Sequence, residues 1–262
     1  MNTDKHSCKI NAEISTADSS QCLTITVMEK TGMIKHAFTT RQGGLGGRNN
    51  GIKQPDDWNA VAKMFGISPD RLVTPNQVHG EAIVIVDGRN YRNIRTAPAD
   101  ALITDDLGIA IGVETADCVP MLLFDPKTPV VAAVHAGWRS TVKKIVQKTL
   151  VKMKDEFGSD PTRMIAAIGP AIGPECYEVD EPVMGSVRQV FPFWKEVATP
   201  RAAGRWSLDL VKANMMELAK AGLAKQNMHA LGFCTSCRKD LFYSFRAEGK
   251  TGRILSVIML KP

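Results

Sequence analysis

The fold of this chain is decided in Thr115-Ala-Asp-Cys-Val-Pro-Met-Leu-Leu-Phe-Asp125 and, after a short connection, Val130-Val-Ala-Ala-Val-His-Ala-Gly-Trp-Arg139. Val119 to Phe124 and Val130 to Val134 are apolar runs with the length and β-branched content of buried strands. Asp125-Pro126 and Thr128-Pro129 mark the turn between them. Antiparallel pairing across so short a connection puts Cys118, which opens the first run, and His135, which closes the second, at one end of the sheet. A thiolate and an imidazole placed together can share a metal ion. His79, in Pro75-Asn-Gln-Val-His-Gly80 just ahead of the apolar run Ala82 to Val86, is the best candidate for a third ligand. One cysteine and two histidines suit zinc and leave a fourth position for water or substrate, which is the pattern of a catalytic site. No CxxC or HExxH spacing ties the three together, so the residues alone leave open a plainer alternative, a buried structural cysteine with hydrogen-bonded histidines.

The chain has 262 residues, enough for one large or two small domains, and its 44% hydrophobic and 23% charged residues are the balance of a soluble globular protein. Six scattered cysteines, and an N-terminus Met1-Asn-Thr-Asp-Lys-His-Ser-Cys8 without an apolar segment, give no disulfide framework or secretion signal, so a reducing cytoplasm is the expected location. No apolar run nears the roughly 20 residues needed to span a bilayer, and membrane insertion is not expected. The net charge of +6 raises nucleic acid as a partner, but Lys and Arg are spread along the chain. The densest group, Lys143, Lys144, Lys148, Lys152 and Lys154, falls on one apparent helix whose other face is apolar, as a solvated surface does. Nucleic acid is therefore not expected, although a basic pocket would favour phosphate.

Residues 1–20 are polar and aperiodic and read as a disordered arm. Strand patterns follow at Cys22 to Met28 with Ile34 to Thr39 as hairpin partner, then Ala82 to Val86, Ala101 to Thr104, Ile109 to Val113, Met164 to Ile168, Met228 to Phe233 and Ile254 to Leu260. Helical spacing marks a segment capped by Asp56 or Asp57 and ending at Phe65, one capped by Ser140 with Val142, Ile145, Val146, Thr149, Leu150 and Met153 on its core face, and two more at Glu181 to Val190 and Leu208 to Ala221. The glycine-rich Thr40 to Gly51 lacks both the Gly-Lys-Ser/Thr of a P-loop and a G-x-G-x-x-G leading into a helix. No repeat or linker interrupts residues 22–260, and the element order is too irregular for a βαβ series. The expected fold is α+β, mixed β-sheets layered with flanking helices, in a single domain over residues 21–262. Cys234-Thr-Ser-Cys237 is a lone CxxC without a second half or a redox context and reads as structural, while Cys176 reads as a packing thiol. His36 and His229 sit in apolar strand patterns as satisfied core or surface histidines, and His6 belongs to the arm.

Asn76-Gln-Val-His-Gly80, Thr115-Ala-Asp-Cys-Val-Pro120, His135-Ala-Gly-Trp-Arg139, Ala167-Ile-Gly-Pro-Ala-Ile-Gly-Pro174 with Cys176-Tyr-Glu-Val179, Cys234-Thr-Ser-Cys237 and Thr251-Gly-Arg253 resemble, in order, the successive blocks of the laccase-domain or YfiH-like family. The resemblance runs from roughly Phe38 to the C-terminus. It implies a zinc-dependent purine nucleoside phosphorylase with adenosine deaminase and methylthioadenosine phosphorylase activities, and metal ligands at His79, Cys118 and His135. It also implies that Arg41, in Arg41-Gln-Gly-Gly44, borders the active site. The segment Asn49 to Gln54 looks shorter than the family's Ser-Leu-Asn-Leu-Gly stretch. The implied substrates are a purine nucleoside and phosphate, and a monomer is the expected state. Phosphorolysis requires a phosphate oriented toward the anomeric carbon, for which Arg41, Arg139 and Arg246 are the candidates. Gln77 is read either as a hydrogen-bond partner of the base or a ligand, on the same strand face as His79, or as a structural amide. Asp117, pointing away from Cys118 in an extended chain, is expected to make a loop hydrogen bond.

Family naming also invokes copper and polyphenol oxidation. His79, Cys118 and His135 with Met121 nearby resemble a blue-copper ligand set, and copper outcompetes zinc at most N/S sites. Coupled copper centres need more imidazoles than the five in this chain. Deamination in the manner of zinc nucleobase deaminases would lack their H-x-E and P-C-x-x-C signatures. A metal-dependent hydrolase editing peptidoglycan precursors and a non-catalytic zinc-stabilised binding protein are the remaining alternatives.

Overall fold

In a computed structural model, residues 14–17, 22–42 and 55–262 are described. The first of two six-stranded sheets has the order β1 (Ile14–Ala17), β2 (Cys22–Ile25), β3 (Ile34–Thr39), β15 (Ile254–Leu260), β7 (Ala110–Thr115) and β4 (Leu72–Val73). Only its β4–β7 pair is parallel. The second runs β14 (Met228–Ala230), β10 (Ile165–Ile168), β8 (Val119–Asp125), β9 (Val130–Ala136), β6 (Ala101–Thr104) and β5 (Ile83–Ile85), with parallel pairs at its two edges. A small antiparallel sheet is formed by β11 (Glu178–Val179), β13 (Trp206–Leu208) and β12 (Ala198–Pro200).

The central strands β7, β8, β9 and β15 are buried along their whole length and mostly apolar, because each has two covered faces. Along β8, Val119, Met121 and Leu123 enter a core shared with helices, while Leu122 and Phe124 enter a second core between the two large sheets. The same alternation sends Val130, Ala132 and Val134 of β9 to the helices and Val131 and Ala133 to the other sheet. On the far side of the first sheet, Leu255, Val257 and Met259 of β15 pack against Trp58, Val61 and Phe65. The result is a layered α/β/β/α arrangement, an α+β single domain of mixed sheets with flanking helices. The outer layers hold α2 (Pro55–Phe65) on one side and α4 (Ile145–Phe157), α5 (Glu181–Val190) and α7 (Leu210–Lys220) on the other. Short helices α1 (Thr26–Glu29), α3 (Trp138–Val142), α6 (Trp194–Val197) and α8 (Phe245–Glu248) complete the chain.

Several expected boundaries shift for local reasons. β2 stops at Ile25, and α1 replaces its continuation, so that Met28 becomes fully buried and Val27 turns outward. Helix α2 begins at Pro55, ahead of Asp56 and Asp57, as proline's fixed φ favours a first helical position. Ser140 caps nothing: Gly137 is the N-cap of α3, and left-handed Lys144 (φ 60°) separates α3 from α4. Residues 14–17, within the expected arm, pair with β2. The rest of that arm and of the glycine-rich stretch lies outside the described residues. Among the described residues, no helix is long and apolar enough to cross a membrane.

Candidate metal centre

The β8–β9 register sets Pro120 opposite His135, which brings Cys118 and His135 to the same end of the second sheet. His79 reaches them from a loop rather than a strand, with left-handed backbone (φ 56°). That strained conformation is held by Asp100, the residue before β6. Its carboxylate accepts hydrogen bonds from the backbone N–H groups of Val78 (3.3 Å), His79 (3.0 Å) and Gly80 (2.6 Å). The same carboxylate accepts from His135 Nδ1 at 2.7 Å, which leaves His135 Nε2 free to act as a ligand. Asp100 is fully buried and, although burial opposes its charge, the His135 and backbone hydrogen bonds hold its pKa below the usual carboxylate value. One acid thus orients both histidines.

The ligand atoms of His79, Cys118 and His135 all lie within 4.8 Å of one another, and His79 Nε2 is 3.8 Å from Cys118 Sγ. Tetrahedral zinc with ordinary Zn–N and Zn–S bonds separates such a pair by about 3.6 Å. Gly137 completes the cradle. A Cβ there would stand 2.9 Å from His79 Cδ2 and 3.0 Å from Cys118 Sγ. The residues therefore fit a metal ion of the zinc or copper class by donor type and spacing. Electrostatics agree. Burial opposes a thiolate at Cys118, but the His135 charge and hydrogen bonds from His135 and His79 outweigh it and bring the thiol down to about 6. Burial likewise favours neutral His135, yet the Cys118 thiolate and the Asp100 hydrogen bond raise it to about 9.

The three residues form the floor of a cavity of about 560 Å³, within the size range of small-molecule sites. Arg139 and Arg246 line it. The Arg139 guanidinium stacks on Trp138 at 4.4 Å and has no ion pair among the described residues. Arg246 lies over Tyr177 at 5.1 Å and donates to Glu178 O at 2.8 Å. Arg41 is not among the described residues lining the cavity: it pairs with Glu248 at 2.7 Å and stacks on Tyr243 at 4.3 Å. Gln77 lines the cavity, but both ends of its amide are engaged by the Glu114 backbone, each at 2.8 Å, and no strand face joins it to His79. Met121 is buried in the helix-side core and is absent from the described lining, so the blue-copper comparison lacks its axial methionine. Asp117 makes the expected loop hydrogen bonds, accepting from Thr235 Oγ1 at 2.7 Å and Arg246 N at 2.6 Å.

Several lining residues had no site role assigned from sequence: Arg95, Glu114 and Phe245, and also Tyr177 and Arg253, which stood only within the family-like blocks. Asp100 carried one signal, an acid set directly before the buried run Ala101–Ile103. Such an acid needs a partner, and here the partners are the two histidine segments.

Comparison with known proteins agrees with this architecture. A sequence model of the family described as "Multi-copper polyphenol oxidoreductase laccase" matches residues 35–261. The chain is 32% identical over 243 residues to "Purine nucleoside phosphorylase YlmD" of Bacillus subtilis, covering 86% of this chain and 87% of that one. It is 32% identical over 246 residues to "Adenosine deaminase RL5" of an unknown prokaryotic organism, covering 86% and 94%. The crystal structure of the hypothetical protein YfiH of Bacillus licheniformis superposes with a TM-score of 0.86 at 28% identity, covering 93% of this chain and 98% of that one. With its sequence blocks, its layered fold and nearly its whole length matched, the chain belongs to the multi-copper polyphenol oxidoreductase laccase family, to which the YfiH-like proteins are its structural kin.

Proposed function

We propose that this protein is a metal-dependent purine nucleoside phosphorylase, with zinc held by His79, Cys118 and His135 and with adenosine deamination as a second activity of the same cavity. The observation that carries this reading is the convergence of one thiolate and two oriented imidazoles on the floor of an arginine-lined cavity large enough for a nucleoside. The naming of the Bacillus subtilis relative as a phosphorylase and of RL5 as a deaminase supports it.

In phosphorolysis a phosphate oxygen bonds to the anomeric carbon as the glycosidic C–N bond breaks. Its electron pair departs with the purine, which takes up a proton, leaving ribose 1-phosphate and free base. A metal held at this floor would supply Lewis-acid charge to polarise a substrate oxygen or ring nitrogen. Arg139, without a competing anion among the described residues, suits a phosphate best, and Arg246 and Arg253 add positive charge around it. Tyr177 and the outward-facing Phe245 offer ring faces for a purine. Asp100 keeps His135 Nδ1 protonated and His79 in place, so neither ring must reorganise during turnover.

The test is incubation of metal-loaded protein with adenosine, with and without phosphate. Phosphate-dependent adenine plus ribose 1-phosphate, lost in Cys118→Ala, is the expected result. Inosine without phosphate reports the deaminase activity. Absence of both products from protein with measured zinc at the first centre overturns the reading, in favour of another hydrolase substrate if a product screen is positive. If zinc removal unfolds the chain, a structural role is favoured.

A further inference from the structure

Away from that cavity, the described residues bring together one more group of metal-binding side chains. Cys176, in the loop before β11, and Cys234 and Cys237, in the turn after β14, place their sulfurs within 4.8 Å of one another. The Cys176 and Cys237 sulfurs are 3.4 Å apart, although the residues are 61 positions apart in sequence. Read from sequence, Cys234-Thr-Ser-Cys237 is half a site, and the fold supplies its missing thiol.

The two segments are fastened to each other by backbone. Ala171 bridges Cys234, Thr235 N donates to Ala171 O at 3.0 Å, and Ala171 N donates to Phe233 O at 3.2 Å. Arg238 N closes the turn onto Cys234 O at 3.0 Å, returning Cys237 beside Cys234. Gly173 N–H donates to Cys234 Sγ at 3.2 Å. A Cβ on Gly173 would lie 3.3 Å from Cys234 Cβ and 3.4 Å from its sulfur, so glycine permits this close approach. Three sulfurs converging this closely from two segments are the donor set that a thiophilic cation takes. Zinc thiolate sites separate their sulfurs by about 3.8 Å, close to the spacing here. Cys234 is buried and Cys176 half-buried, while Cys237 is exposed and gives an ion a route in.

We propose that Cys176, Cys234 and Cys237 form a second metal site, separate from the His79–Cys118–His135 centre, that takes a soft thiophilic d10 cation, zinc or monovalent copper. An all-sulfur set selects such ions over magnesium, calcium or manganese. The ion also has a structural consequence. Thr235, between the two cysteines of the turn, donates to Asp117 Oδ1, and Ile172 N on the other segment donates to Asp117 O at 2.9 Å. A cation joining these segments braces the backbone beside Cys118 from behind.

The test titrates Cd²⁺ into metal-free, reduced Cys118→Ala protein, in which the first centre has lost its thiolate. One equivalent should bind, with ultraviolet sulfur-to-cadmium charge transfer of three-thiolate intensity. Adding Cys237→Ser should weaken binding at least about tenfold and lower that intensity. Wild-type protein gives an independent readout should Cys118→Ala fold poorly. Bound Zn²⁺ should protect Cys176 and Cys237 from iodoacetamide, measured peptide by peptide by mass spectrometry. Anaerobic competition between Zn²⁺ and a buffered monovalent copper salt then distinguishes the two ions. Absence of thiolate charge transfer in folded Cys118→Ala protein, alkylation unaffected by Zn²⁺ and Cu⁺, or a Cys176–Cys237 disulfide in protein kept under reductant would overturn the proposal.

Discussion

Replacing Asp100 with asparagine exchanges one oxygen for an amide nitrogen at the hub of the metal centre. The carboxylate accepts four N–H donors: His79 N and His135 Nδ1 at one oxygen, Val78 N and Gly80 N at the other. Whichever way the asparagine amide is turned, its NH₂ faces two of those donors, in a site with no exposure. Two charge-assisted bonds at about 1.5–3 kcal/mol each are lost, partly relieved by small shifts, so a stability loss of about 3 kcal/mol is expected. His79 is also released from its left-handed conformation, and His135 loses its fixed tautomer. Zinc affinity should therefore fall about 10–100-fold, the usual effect of removing an orienting partner. Urea denaturation of metal-free protein measures the first quantity, and competition with a chromophoric chelator the second. A stability change under about 1 kcal/mol together with unchanged zinc affinity would refute the assignment of Asp100 as the hub.

Gly137→Ala tests the cradle: its φ of −71° suits alanine, so the effect should come from the new methyl group against His79 and Cys118. Zinc affinity should drop about tenfold or more with little change in metal-free stability, and an unaltered chelator titration would count against the site. Metal uptake should depend on pH. Between about 6 and about 9, Cys118 is a thiolate and His135 is protonated, so binding must expel at least the His135 proton. The logarithm of affinity should rise by about one per pH unit in that window and more steeply below it, and a flat profile by calorimetry would contradict the pairing. His36 should control acid stability. Burial, against the opposing pull of Glu29, lowers its pKa from 6.5 to about 4, and its Nε2 accepts from Ile25 N at 2.8 Å. The unfolded chain binds the proton first, so stability is complete above about 6.5 and declines as pH falls toward 4, by about 3 kcal/mol in total. His36→Gln should flatten that decline in pH-dependent denaturation curves, and an unchanged slope would assign it to other groups.

Some of this protein can be read directly from its residue pattern. Val119 to Phe124 and Val130 to Val134 are apolar runs, and Ile254 to Leu260 is broken only by Ser256, because both faces of those strands are covered, and a strand of that kind needs no long-range information to be recognised. The turn at Asp125–Pro126 joins β8 to β9 and thereby puts Cys118 and His135 at one sheet end. Periodicity likewise marks Glu181–Val190 as a helix. Other features depend on contacts between distant segments. His79 takes its unusual backbone only because Asp100 draws in three consecutive N–H groups. Arg41 finds its ion-pair partner in Glu248, 207 positions later. Cys176 acquires two thiol neighbours when the loop before β11 meets the turn after β14. Local hydrophobic pattern determines which segments become strands and helices, because burial acts on each segment's own faces. The partners of polar and charged side chains follow from which segments the closed fold brings within hydrogen-bond reach, so only the tertiary structure decided them.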